Sequence, residues 1–262
     1  MKKIFLFLLL GFSAIGQQTA NKPERVNWFQ DLGFGMFIHW NVDVTLGAVI
    51  SHSLSGASDE YVNKYIQELP SYFNPEQFKP KDWAKLAKLA GMKYVVFTAK
   101  HHAGFAMFNT KTTTFNIMNT PFKRDITKEV VEAFRAEGIA VGLYFSPDDF
   151  YYLHTHKQPI GRAQDPAHYP KTNPGLMEYD KAQLKELLTQ YGKIDILFID
   201  GPGDGLREHA WAINPDLVIT RDAMKTPEQT TPNTSLPRPW EACYTMGTDW
   251  QYKPTNDPQK SG

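Results

Sequence analysis

Cysteine is almost missing from this chain of 262 residues. A single thiol, Cys243, excludes an intrachain disulfide framework and any structural zinc site built on several thiolates. A basic surplus is missing too. Lys plus Arg total 28 and Asp plus Glu total 28, so no positive field is offered to a phosphate backbone, and nucleic acid is not an expected partner. No apolar run approaches the ~20 residues of a membrane span. No Gly-x-Gly-x-x-Gly follows a strand-like run and no P-loop occurs, so no nucleotide cofactor is implied. His-Glu-x-x-His does not occur either, and no metal is expected. Ser146 has no Gly-x-Ser-x-Gly setting and Cys243 has no suitable neighbour, which leaves serine and cysteine hydrolases without support.

What is present begins with a leader-like start. Lys2 and Lys3 are followed by the apolar run Ile4 to Leu10 and by the small residues Ala14-Ile15-Gly16, the charge and length pattern of a secretory signal. The expectation is that residues 1–16 are removed and that residues 17–262 form an exported domain, periplasmic or secreted. Without Lys2 and Lys3 the chain carries 26 basic and 28 acidic residues, still close to neutral.

Beyond residue 30 a short apolar run, a polar loop and a helix-period segment ending in glycine recur. That alternation predicts parallel strands joined by helices. The expected strands are 34–40 (FGMFIHW), 94–99 (YVVFTA), 140–146 (AVGLYFS), 194–200 (IDILFID), 217–221 (LVITR) and a weaker 240–245 (WEACYT). Helices are expected over 81–90, with Trp83, Leu86, Ala87 and Ala90 on one stripe, and over 126–137 and 176–191, each followed by a glycine stop. Residues 226–239 read as a surface loop. Closed barrels and open doubly wound sheets share this grammar, and the missing nucleotide fingerprint favours an α/β fold of the (β/α)8 barrel kind.

Polar or aromatic residues close one strand after another, at the end where barrel enzymes keep their sites. Asp200 ends an apolar strand just before Gly201; a carboxylate there suits nucleophilic catalysis, or equally the cap of the next segment. Adjacent strand residues point to opposite sides, so only one of His101 and His102 is expected to face a ligand. A histidine satisfied inside a barrel mouth is the plainer reading of either. His39 beside Trp40 pairs a hydrogen-bonding ring with an apolar surface, as a sugar pocket needs. Arg221 clamps a hydroxyl or carboxylate, or pairs with Asp222. Glu228 and Glu241 are candidate proton donors over the mouth, or solvated loop acids. From the residues alone the choice stays between a barrel glycosidase and a sugar-binding barrel.

Taken together, FGMFIHW (34–40), WAKLAKLAGMKYVVFTAKHHAGF (83–105), GLYFSPDDF (142–150), IDILFIDG (194–201), TPEQ (226–229) and PWEACYTMGTDWQY (239–252) resemble the alpha-L-fucosidases of glycoside hydrolase family 29. The resemblance runs from about Trp28 to the last residue. It implies a retaining hydrolase of alpha-L-fucosides acting on a fucosylated glycan, with no cofactor and no implied oligomeric state. Position by position it makes Asp200 the nucleophile and His39, Trp40, His101, His102, Tyr144 and Arg221 pocket residues, with Phe198 where many members carry tryptophan. It makes Glu228 or Glu241 the acid/base, the TPEQ spelling favouring Glu228. It also implies that the barrel's last strand and a β-sandwich domain lie outside these 262 residues. Ser58-Asp59-Glu60-Tyr61 stands where the family shows Glu-Trp-Tyr. The rival expectations are a fucose-binding barrel without turnover and a glycosidase for another sugar.

Overall fold

A computed structural model describes residues 17–47, 54–161, 165–234, 236–245, 247 and 250. The leader expected at residues 1–16 lies outside them.

Seven helices and five strands alternate along the described chain. In order they are α1 (Pro23–Leu32), β1 (Gly35–Ile38), α2 (Asp59–Tyr72), α3 (Pro80–Leu89), β2 (Tyr94–Lys100), α4 (Ile126–Ala136), β3 (Ala140–Phe145), α5 (Phe150–Thr155), α6 (Pro174–Gln190), β4 (Ile196–Ile199), α7 (Leu206–Ile213) and β5 (Val218–Ile219). The strands form one parallel sheet in the order β1-β2-β3-β4-β5. Each strand pairs with the next in sequence and no reversal of order occurs, whereas a doubly wound sheet needs a switch point. The described sheet is therefore an arc of a (β/α)8 barrel.

Register explains the two cores. Phe37 pairs with Val96, Val96 with Gly142, Gly142 with Ile196 and Ile196 with Val218. Phe37, Val96, Ile196 and Val218, with Tyr94, Tyr144 and Phe198, belong to the inner apolar cluster. The intervening residues Val95, Phe97, Val141, Leu143, Leu197 and Ile219 join the larger cluster under the helices. Both faces are buried, as parallel strands require. α1 closes the amino end of the strands, its Phe29 ring lying 5.3 Å from Tyr94, while Arg25 and Asn21 hold the backbone of Asp216 and Ile219.

The expected helices form with their glycine stops in the left-handed region, Gly91 at φ +80°, Gly138 at +74° and Gly192 at +70°. The face of α3 differs from expectation. Ala84 and Ala87 are buried, but Leu86 is 61% exposed and Ala90 is exposed: α3 lies close against its neighbours on small residues, which turns Leu86 outward. The weaker strand expected at 240–245 is reduced to a bridge between Glu228 and Cys243. Cys243 N–H bonds Pro227 O and Gln229 N–H bonds Cys243 O, and Pro227, having no N–H, cannot lengthen that ladder.

Candidate active site

The site grows from the carboxyl ends of the strands. Asp200 continues β4 by one bond, its N–H donating to Phe145 O at 3.0 Å, before Gly201 turns the chain away. The parity that places Phe198 inside the barrel places Asp200 there too. Its Oδ2 accepts from the Tyr144 hydroxyl at 2.6 Å, and its Oδ1 lies 3.0 Å from Arg221 Nε. Arg221, two residues past β5, also binds Glu228 Oε1 through its other arm. One guanidinium thus holds both carboxylates. Burial works against its charge, but Asp200 and Glu228 together hold its pKa above the ordinary value. Burial, reinforced by Asp200, pushes the Tyr144 hydroxyl far up, so it stays a donor. Phe198 stacks on Tyr144 with ring centroids 5.5 Å apart, and the Arg221 guanidinium lies 5.5 Å from its centre.

The histidines reach this place through an irregularity. Between Thr98 and Lys100 the register of β2 slips, and Lys100 pairs with Phe145, an outer-face residue. A bulge of this kind reverses the parity of the residues after it. Lys100 is therefore turned out under the helices and His101 is turned in, stacked on Tyr144 at 5.1 Å and 4.8 Å from the His39 ring. The strand ends there, so alternation no longer separates the neighbours. Contrary to the expectation that one histidine alone faces the mouth, the His101 and His102 rings are 4.4 Å apart, and His102 Nε2 is 3.6 Å from Asp200 Oδ2. Ser146 donates its one proton to Asp148 O, so it accepts from His102 Nδ1, with which it is also paired. That fixes a proton on Nδ1 and turns Nε2 toward Asp200. Thr98 donates to Ile38 O in the same way and lies 3.3 Å from His39 Nδ1.

Ligand atoms of His101, His102 and Asp200 lie within 4.8 Å of one another, close enough to hold a metal ion. Both Asp200 oxygens are already engaged, one by a cation.

Two expected pocket residues are placed elsewhere. Trp40 follows His39, so its side chain leaves by the outer face and packs against Phe73, Phe78 and Trp83, each ring 5.7 Å away. Glu241 is 5% exposed and accepts from Tyr94, whose residue opens β2 at the end away from Asp200. Burial raises the pKa of its carboxyl. Glu228, by contrast, has a side chain 38% exposed beside Arg221. The stretch 58–61 begins α2: Ser58 Oγ caps Tyr61 N–H, and Asp59 and Glu60 occupy the first turn, where acids favour the helix dipole.

Residues unannounced by the sequence complete the site. Trp250 lies 6.2 Å from His39. Behind the bulge, Lys100 Nζ is 2.8 Å from Asp180 and 3.0 Å from Asp149, all with fully buried side chains. Asp149 Oδ1 also caps α5 through Tyr152 N–H. Gly104, at φ +83°, leaves it room, for a Cβ there would fall 2.2 Å from Asp149 Oδ1.

Comparison with known proteins gives the chain its family. The alpha-L-fucosidase family model matches residues 14–261. The chain belongs to the alpha-L-fucosidase family. Human plasma alpha-L-fucosidase is 26% identical over 278 residues, covering 90% of this chain and 57% of that protein. Alpha-L-fucosidase 1 of Arabidopsis thaliana is 32% identical over 143 residues, covering 53% of this chain and 25% of that protein. Among solved structures, alpha-L-fucosidase isoenzyme 1 from Paenibacillus thiaminolyticus superposes with a TM-score of 0.76 at 31% identity, over 91% of this chain and 64% of that one. A family 29 alpha-L-fucosidase from Bacteroides thetaiotaomicron, trapped as a covalent intermediate with 2-fluoro-fucosyl fluoride, gives 0.73 at 25% identity, over 93% and 65%. This fucosidase-family chain spans between a quarter and two thirds of these relatives. No helix among its described residues is long and apolar enough to cross a membrane.

Proposed function

We propose that this chain carries the retaining hydrolysis of terminal alpha-L-fucosyl linkages in glycans, as an exported enzyme. The observation that supports it most is the pair of carboxylates on Arg221, one on the rigid end of β4 and the other on a loop. An Asp200 oxygen attacks the anomeric carbon while the bond to the leaving oxygen breaks, and Glu228 gives that oxygen its proton. The product is a fucosyl ester on Asp200. Glu228, now a base, takes a proton from water; the water oxygen attacks the same carbon, and the ester bond breaks with its electron pair returning to Asp200. Two displacements at one carbon give net retention. His39, His101 and His102 bind hydroxyls in this scheme, and Trp250 offers an apolar wall. The trapped intermediate of the Bacteroides relative supports covalent chemistry in this family. Glu228 rather than Glu241 is assigned as acid/base because Glu241 is spent on Tyr94.

The test is the hydrolysis of nitrophenyl alpha-L-fucoside by the full chain. Asp200→Gly should lose at least about a thousandfold in kcat and regain part of it with azide. Glu228→Ala should spare good leaving groups and cripple poor ones. Full activity of Asp200→Gly, or the leaving-group pattern appearing in Glu241→Ala instead, defeats the assignment. Fucose binding without turnover by the unaltered chain would establish the binding-protein alternative.

A further inference from the structure

A second concavity opens on the outer rim of the barrel mouth, between the loop after β2 and the helices α5 and α6. Its volume is about 740 Å³, within the size range of small-molecule sites. Five threonines, three asparagines and three tyrosines line it, and no carboxylate does. With His156 as its one imidazole, Lys111 as its one cation and no guanidinium, the lining offers neither a metal's ligand set nor the forks that acidic ligands select. It offers hydroxyls, amides and aromatic surface, which match a neutral polyhydroxy ring with one apolar face.

The walls are preformed. Glu186 holds the Lys111 N–H and the Thr110 hydroxyl, at 3.0 and 2.5 Å. Asn116 Oδ1 caps Met118 N–H, and Tyr151 lies stacked on Phe115 at 4.9 Å. Thr114 and Lys111 stand exposed at the rim. On the lining, the Tyr179 ring is packed inward with its hydroxyl buried beside Thr112 and Thr113. The cavity backs onto the histidines of the mouth, since Phe150, next to Tyr151, donates its N–H to His102 O at 2.7 Å.

We propose that this cavity is a second carbohydrate site, taking a neutral sugar of a glycan outside the fucosyl unit. The choice of a glycan rests on the fucosidase reading above. A sugar held here keeps its glycan near the mouth and raises the local concentration of the fucosyl end.

The experiment uses the full chain with Asp200→Ala, which stops turnover, and lactose as a probe without fucose. Lactose should bind, and both Thr114→Trp, which fills the rim, and Tyr151→Ala, which removes aromatic surface from the lining, should weaken it, the first at least about tenfold. On an intact Asp200 background, either change should leave kcat/KM for nitrophenyl fucoside within about twofold. If the sugar belongs to the chain being cleaved, Thr114→Trp raises KM for 2′-fucosyllactose; if to a separate chain, that KM holds while bound lactose still disappears. No lactose binding, or binding indifferent to both variants, overturns the proposal. Nitrophenyl fucoside turnover reads the catalytic assignment alone, so the two failures are distinguishable.

Discussion

The buried plug behind the bulge should make the stability of this protein fall as pH rises, and Asp180→Asn should remove part of that fall. One cation, Lys100, faces two fully buried carboxyl side chains. A single positive charge balances one carboxylate, and a second ionised one would be an uncompensated buried charge. Burial accordingly raises Asp180 to about 8, although Lys100 pulls it down, and Asp180 Oδ2 has no partner to stabilise it as an anion. The Lys100 ammonium is kept charged by Asp180 and Asp149 despite burial. In the unfolded chain an aspartate ionises near ~3.9. Folding at neutral pH therefore takes up a proton, and the stability this provides is complete below about pH 4 and lost as pH rises to about 8. One proton is worth ~1.4 kcal/mol per pH unit, so between pH 5 and 7.5 the native chain should lose up to ~3 kcal/mol that Asp180→Asn does not lose. Asp148, raised to about 7 by burial, adds a similar slope to both proteins and cancels in the difference. Urea unfolding followed by circular dichroism at four pH values measures that difference. A gap between the two proteins that stays constant with pH would show Asp180 ionised in the native state and refute the reasoning.

Two further outcomes concern the site and its surroundings. Tyr144→Phe removes a hydrogen bond to a charged oxygen of Asp200, a loss of ~1.5–3 kcal/mol; kcat/KM for nitrophenyl fucoside should fall roughly ten- to a hundredfold with little change in melting temperature, and an unchanged rate counts against Asp200 as the reacting group. Trp40→Ala should do the reverse, lowering the melting temperature by several degrees through a loss of ~3 kcal/mol from the cluster with Phe73, Phe78 and Trp83 while leaving KM near its native value; a large rise in KM would place Trp40 in the pocket after all.

Much of the barrel is legible locally, because its strands are short apolar runs and its helices stop at glycines that must adopt positive φ. α1 and α2 are less so. α1 starts at Pro23 without a side-chain cap, and α2 contains Pro70 and starts inside a stretch that differs from the family spelling. The bulge is the hardest feature to read. VVFTAKHH has the composition of a plain strand, and what decides its irregularity is Lys100 meeting Asp149 and Asp180, 49 and 80 residues downstream. A rule of alternation applied without that knowledge separates His101 from His102; applied with it, the same rule turns Lys100 outward and His101 inward. Trp40 shows the converse, since strict alternation after His39 already sends it outward.

The charge arrangement at the mouth suits the chemistry proposed for it. Asp200 and Glu228 together bring two negative charges and Arg221 one positive, so the trio is negative by one when both acids are ionised. The transition state of glycoside hydrolysis gathers positive charge on the sugar ring and its anomeric carbon. A site with a second guanidinium or a lysine would oppose that charge, whereas one without Arg221 would set two carboxylates against each other. Imidazoles, which bond hydroxyls without bringing a permanent charge, suit the surrounding wall. Lys100, the one ammonium delivered by the strand that carries two of those histidines, is turned by the bulge to the opposite face and neutralised there.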